Sequence, residues 1–392
     1  MFRLLSLVSG VAILPMLFRS EFDAADPAST TRAWIATILC ACSFLAILYS
    51  SEARGYAPVA LFALLTFTQV RRGRIVSSRD RLAFAASCAL GLLSHLTFVF
   101  AYAGLFAWTA RLAGRGRNLT WRSWIALHQF PVAFIAADYV LDARHLAYGG
   151  GPAFSMSEVV GRGLSVAVGG PDAGGWAIVA AGYTISLIAL GLILTWRDEG
   201  DEAIFFTTAV IVAPVAVLAV YRARFLEVRY FFVLLPFVWL LAARTLAFVL
   251  SCGPLGRYAA AALVMTSIAG NATHVAMSLR EGRGHYADAV SVMSAMTALP
   301  DIVVAADQDF SARLILEYYG ETIAPAQRII YLPASSPHRR DAEWYITHTY
   351  ESPAVVPPSI VTTEEGETYA WVRSFPYGGQ SGFNWFLYKR QR

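Results

Sequence analysis

The sequence predicts a mainly α, polytopic helical membrane protein of about ten spans with a small α/β domain at its C-terminal end. Three observations carry that prediction. Hydrophobic residues make up 57% of the 392 and charged residues 15%, with a mean hydropathy of +0.51, against roughly 45–50% and 25% in soluble domains. Apolar runs recur along the first 275 residues, punctuated by arginine-rich segments. From about residue 280 the runs shorten and interleave with polar residues. This composition excludes an ordinary soluble enzyme.

Taken in order, the apolar runs place spans at 2–18, 33–50, 55–70, 82–95, 97–110, 124–141, 176–195, 203–220, 230–250 and 258–275. The stretch 82–110 reads as a hairpin with His95 at its tip. Arg71, Arg72, Arg74, Arg79 and Arg81 precede it and Arg111, Arg115 and Arg117 follow it, so both ends belong in the cytoplasm. Its arms are short, about 21 Å each at 1.5 Å per residue. Alternation then puts 19–32, 196–202 and 251–257 inside and 51–54, 142–175 and 221–229 outside. The inside loops hold the larger share of the arginines, as the positive-inside rule requires. The same alternation places Met1 outside, so the chain reads as one that starts late. The segment Trp196 to Glu202 reads as a solvated loop.

These boundaries divide the chain into a membrane domain, 1–279, and an outer domain, 280–392. In the latter the pattern predicts a helix over 284–298, a strand at 301–306, a helix over 310–319, and strands near 328–332, 343–348, 368–374 and 383–389. The alternation of strand and helix predicts a small α/β sandwich. Tyr318, Tyr319, Trp344 and Trp371 in it are able to stack on sugar rings, and packing of a small core explains them equally well.

The net charge of +4 comes from 31 basic and 27 acidic residues spread over many short loops, which excludes nucleic acid as a partner. Lys389 is the only lysine, so Schiff-base chemistry in the membrane is excluded. Cys40, Cys42, Cys88 and Cys252 show no CxxC spacing, and we expect neither a disulfide framework, a metal site nor a cofactor.

Charged residues gather in two of the outside loops. Tyr49-Ser50-Ser51-Glu52-Ala53-Arg54-Gly55-Tyr56 places Glu52 and Arg54 in the tight turn between two spans. At an interface such a pair is tolerated far more cheaply than at a helix centre, where a charge costs about 2.5–3.5 kcal/mol. An interfacial salt bridge accounts for it as well as a binding role does. Tyr221 to Tyr230 carries Arg222, Arg224 and Arg229 around Glu227, on the side where arginines are disfavoured. Such a cluster suits an anion, because a guanidinium fork holds a phosphate bidentately. Pairing with Glu227 and lipid headgroups is the alternative. His95 is expected at the same level, as a donor to phosphate, an acid or base, or an interhelical hydrogen-bonder. The loop 142–175, with Asp142, Arg144, His145, Tyr148, Glu158, Arg162 and Asp172, is a candidate lid. Asp138 is a weak intramembrane candidate.

Tyr49 to Tyr56 resembles the Y-x-Q-E-A-R-x-Y turn of GT-C type membrane glycosyltransferases, which include the dolichyl-phosphate-mannose protein mannosyltransferases and the lipid A aminoarabinose transferase. Leu4 to Phe18 is similar to an early span of that family, Leu93-Ser94-His95 to a helix end, and Glu227-Val228-Arg229-Tyr230-Phe231 with Pro236 to the start of a late helix. Tyr286-Ala287-Asp288-Ala289 resembles the start of the outer domain in bacterial members. The motifs cover the chain in the right order.

The resemblance implies inverting transfer of a sugar from a polyprenyl-phosphate donor to a glycan, lipid or protein acceptor of the cell envelope. It also implies a multi-pass plasma-membrane protein with its C-terminal domain outside. By the same resemblance Arg54 and Arg229, with Arg222 and Arg224 beside them, lie near the donor phosphate. Glu52 orients Arg54, and Tyr56, His95, Glu227 and Tyr230 support them. Ser51 stands where the family usually has Gln. The family's catalytic aspartate belongs to a first outer loop after a first span. The opening helix matches the second span, so the base is expected to be missing from these 392 residues. A non-catalytic relative that binds lipid-linked sugars, or a transporter of them, are the alternatives.

Overall fold

The computed structural model describes residues 2–116, 119–146, 154–198, 200–221, 226–282, 284–350, 356–377, 380 and 382–391. The chain divides into two compact units, 1–273 and 274–392; the division falls inside a long helix, earlier than the change in composition near 280.

The first unit is helical: α1 (Phe2–Glu21), α2 (Pro27–Cys42), α3 (Phe44–Ser50), α4 (Tyr56–Arg71), α5 (Ser78–Ser94), α6 (Phe98–Gly114), α7 (Trp121–Leu141), α8 (Met156–Ala167), α9 (Gly175–Asp198), α10 (Glu202–Phe206), α11 (Ala213–Tyr221), α12 (Leu235–Ser251) and α13 (Gly253–Glu281), which runs on into the second unit. Among the described residues six stretches, counting the α10–α11 region as one, are long and apolar enough to cross a membrane, or up to seven if the bent pair α2 and α3 makes one span. Ten were expected. The difference lies in the middle, where α4, α5 and α6 have only 16, 17 and 17 residues, short of the ~20 that a hydrocarbon core requires.

Local chemistry explains the breaks. The run 33–50 bends by 61° at Ser43, where the Ser43 hydroxyl accepts from the Ala46 N–H and the Asn271 side-chain carbonyl accepts from the Phe44 N–H at 2.8 Å. A buried asparagine thereby replaces the helix bond that the bend removes. Between α10 and α11 the helix widens to a π turn over Thr207–Val212, just before Pro214, which has no N–H to give. A 3-10 stretch, Val228–Leu234, leads into α12.

At the end of the bundle where α1 finishes, the segment expected to be a solvated loop is so only in part, since Trp196, Arg197 and Asp198 close α9 and are exposed. Asp201 and Glu202 are buried. Glu202 joins Glu21, Arg71 and Arg244 in a closed ring of alternating charge. Arg71 reaches Glu21 at 2.7 Å and Glu202 at 3.2 Å, and Arg244 reaches them at 2.9 and 2.7 Å. Arg115 meets Asp201 at 2.6 Å, and Arg32 spans Glu21 and Asp26. Several kcal/mol of desolvation per buried ion is offset only because every charge has an opposite neighbour. Next to the ring, Phe67, Phe205, Phe206 and Phe237 pack with ring centroids 4.7–6.5 Å apart.

The second unit holds the last part of α13, then α14 (Tyr286–Met296), β1 (Asp301–Ala306), α15 (Asp309–Ile323), β2 (Arg328–Tyr331), β3 (Trp344–Thr349), β4 (Ile360–Thr362), β5 (Thr368–Phe375) and β6 (Asn384–Arg390). The sheet order is β2-β1-β3-β6-β5-β4, with β1 parallel to β2 and β3 and the other pairs antiparallel. The expected strands appear within a residue or so of their sequence positions. Among the described residues only the three-residue edge strand β4 is additional. Val290, Met293, Leu316, Ile302, Val304, Trp344 and Trp385 form the core between the helices and the sheet. Trp344 is therefore core, its indole N–H donating to Thr297 Oγ1 at 2.8 Å, whereas Tyr318 and Trp371 are exposed.

Candidate functional site

At the opposite end of the bundle the turn between α3 and α4 carries Glu52 and Arg54. Gly55 fixes its seat: a Cβ there would lie 1.7 Å from the carbonyl oxygen of Ser94 at the end of α5, so no other residue allows this approach. The Ser6 hydroxyl of α1 donates to the Arg54 carbonyl at 2.8 Å. The turn is thus held from two sides before any charged side chain is considered.

Aromatic rings join it to the hairpin tip and to the 3-10 stretch. Tyr49 meets Tyr56 and Phe232 edge-on at 5.1 and 5.0 Å, Tyr56 lies 4.9 Å from the His95 ring, and His95 lies 6.2 Å from Tyr230. The Arg229 guanidinium sits 5.5 Å over the Tyr230 ring. The Thr97 backbone N–H donates to His95 Nδ1 at 3.2 Å, with the Thr97 hydroxyl 3.0 Å from the same nitrogen. Nδ1 is therefore the acceptor and Nε2 carries the proton of the neutral ring.

The ion pairs here are loose. Arg54 Nε is 3.7 Å from Glu52 and Arg229 Nη2 is 3.4 Å from Glu227. Glu52 Oε2 and Arg229 Nε are buried and make no hydrogen bond among the described residues. Burial pushes the Glu227 carboxyl above the usual carboxylate range, against the pull of Arg229, Arg162 and Arg54. Arg229, Arg54, Tyr230 and Glu52 also act electrostatically on Tyr56. Residues some 175 positions apart in the sequence therefore make one cluster.

The cluster shares a wall with an apolar groove of about 430 Å³. Tyr49, Val228 and Phe232 belong to both. From there the groove runs between α8, α9, the π turn, α11 and α12, past Leu164, Ile188, Ile211 and Val238. Among the described residues Thr184 and Tyr49 are the polar side chains in its wall, so the lining offers almost nothing to water and is of the kind that suits a hydrocarbon.

Of the residues singled out from sequence, Glu52, Arg54, Tyr56, His95, Glu227, Arg229 and Tyr230 come together. Arg222 and Arg224 lie outside the described residues, as does Tyr148. Asp138 is on α7, which packs on α5 and α6. The loop 142–175 contains the helix α8, begun by the Ser155 hydroxyl accepting from the Glu158 N–H. Sequence reasoning missed Phe232, the groove, and the ring around Arg244. The groove had a legible signal, since Val159, Val160, Gly163, Leu164 and Ala167 recur with helical spacing. Arg244 had one too, as an arginine in the middle of an apolar run.

No protein-family model matches this chain, and no curated protein matches it.

Proposed function

We propose that the chain belongs to an enzyme that transfers a sugar from a polyprenyl-phosphate donor to a cell-envelope acceptor. In this reading it lies in the plasma membrane with ten crossings, the short α4, α5 and α6 occupying a thinned region, and its C-terminal domain is outside. One observation supports the reading above others: the loosely paired arginines stand at the end of an apolar groove. A polyprenyl phosphate has this polarity, an anion on a long hydrocarbon. The groove takes the isoprene chain, and Arg54 and Arg229 take the phosphate, where they stabilise the charge that grows on the leaving group. The neutral His95 donates from Nε2, Glu52 orients Arg54, and Glu227 is the carboxylate that Arg229 leaves for the phosphate.

The second reading is a binding protein without catalysis, favoured by the fact that Glu52 and Glu227 are both engaged with arginines. Neither is then a ready base for an acceptor hydroxyl.

Binding of undecaprenyl phosphate to the full chain in nanodiscs tests what both readings share. Arg54→Ala and Arg229→Ala should each weaken it by about tenfold or more. Unchanged affinity in both variants overturns the phosphate roles. Transfer of label from a polyprenyl-phosphate sugar to an envelope fraction then separates enzyme from binder.

A further inference from the structure

Helix α8 presents two different surfaces to the site. Val159, Val160, Gly163, Leu164 and Ala167 line the groove, and a Cβ at Gly163 would stand 3.5 Å from Val228. The helix is fastened to α9 and the turn before it: the Thr184 hydroxyl donates to the Leu164 carbonyl at 2.8 Å and the Ser165 hydroxyl to the Pro171 carbonyl at 2.7 Å. This face is a fixed cover over the hydrocarbon.

Arg162 lies next to that face. Its charge, like those of Arg229 and Arg54, acts on the Glu227 carboxylate. Its own partner is Asp172, with Arg162 Nε at 3.4 Å from Oδ1 and both side chains largely buried. A charge-assisted contact is ordinarily about 2.7–2.9 Å. The pair is loose in the way the Arg54 and Arg229 pairs are loose, although neither Arg162 nor Asp172 stands in the turn or the late helix that the sequence motifs mark.

We infer that Arg162 is a third phosphate-binding arginine of this site, held on Asp172 until an anion arrives and then exchanged from the carboxylate to the phosphate. The inference rests on the donor reading above and adds a residue and a competition to it. Asp172 competes with the ligand for one guanidinium, so the two partners of the pair have opposite effects on affinity. A pair that served only to fasten the loop would give both substitutions the same sign.

The experiment measures binding of undecaprenyl phosphate to the full chain in nanodiscs, with inorganic phosphate in a parallel arm and a melting curve for each variant. Arg162→Gln should weaken binding by about tenfold, Arg162→Lys should restore part of it, and Asp172→Asn should tighten it. The assignment falls if Arg162→Gln binds as the wild type does, or if Asp172→Asn weakens binding as Arg162→Gln does. Should Arg162→Gln not fold, the sign of the Asp172→Asn effect decides alone. Wild-type protein that binds neither probe overturns the donor reading together with this assignment. Lipid binding by the wild type that Arg162→Gln and Asp172→Asn weaken alike overturns the assignment alone and leaves the donor reading standing. Equal affinity for inorganic phosphate, still lowered by Arg162→Gln, upholds the assignment with free phosphate as the ligand.

Discussion

The two ends of the helical unit use the same residue types for different ends. Around Glu21 and Arg244, arginines and carboxylates close into a ring with contacts of 2.7, 2.7, 2.9 and 3.2 Å, and Glu21 is fully buried. Around Glu52 and Arg229 the corresponding contacts are 3.7 and 3.4 Å, and nearly half of the Arg54 side chain is exposed. The ring pairs each of its charges at short distance with an opposite one and ties α1, α4, α10 and α12 together. Loosely held arginines beside an apolar groove have donors to spare. The lesson is that an arginine's partner distances, more than its presence, separate a fastening from a candidate site.

The comparison breaks most easily at the ring. Glu21→Gln leaves Arg71 and Arg244 short of a buried partner, and removal of one member of such a pair costs about 3–5 kcal/mol. The expected result is a large drop in melting temperature or loss of folded protein in detergent; a melting curve like that of the wild type would mean that the ring contributes little.

Gly55→Ala comes next. Its methyl group would collide with the Ser94 carbonyl, and overpacking of this kind costs about 1–3 kcal/mol. Because the collision moves the turn that carries Arg54, phosphate binding should fall together with stability, as calorimetry and a binding titration will read.

Arg229→Ala sharpens the contrast by its selectivity. The melting temperature should fall less than in Glu21→Gln, since this pair is longer, at 3.4 Å, and less completely buried than the ring, while donor binding falls. A variant that loses stability as Glu21→Gln does would place Arg229 with the fastenings.

The smallest effect is on pH. Glu227 has a raised pKa, so as pH falls it takes up its proton before an ordinary glutamate does. Arg229 is then freed from its carboxylate, and affinity for a sugar phosphodiester, whose own charge is constant in this range, should rise. In Glu227→Gln the affinity should be high throughout and lack that step.

Much of the fold was legible because its signals are local. Apolar runs set the helices, although α2, α5 and α7 start behind the caps Asp26, Ser77 and Thr120, a few residues before the apolar runs expected at 33, 82 and 124, and alternation set β1, β3, β5 and β6 near their true positions. The bend at Ser43 was not legible, because the group that makes it tolerable is Asn271, more than two hundred residues away. Nor was the burial of Asp201 and Glu202: a run of charges reads as solvated unless its partners are known, and Arg115, Arg71 and Arg244 come from three other helices.

By itself the sequence determined the class of protein, the helical and α/β parts, and which side chains had chemistry to offer, since composition and periodicity depend on neighbours along the chain. Tertiary structure alone decided which arginines are spent and which are held loosely, that Tyr49, Tyr56, His95 and Tyr230 form one aromatic path, and that a groove meets the charged cluster. Those properties depend on distances between residues remote in the chain, and electrostatic and packing energies are set by such distances.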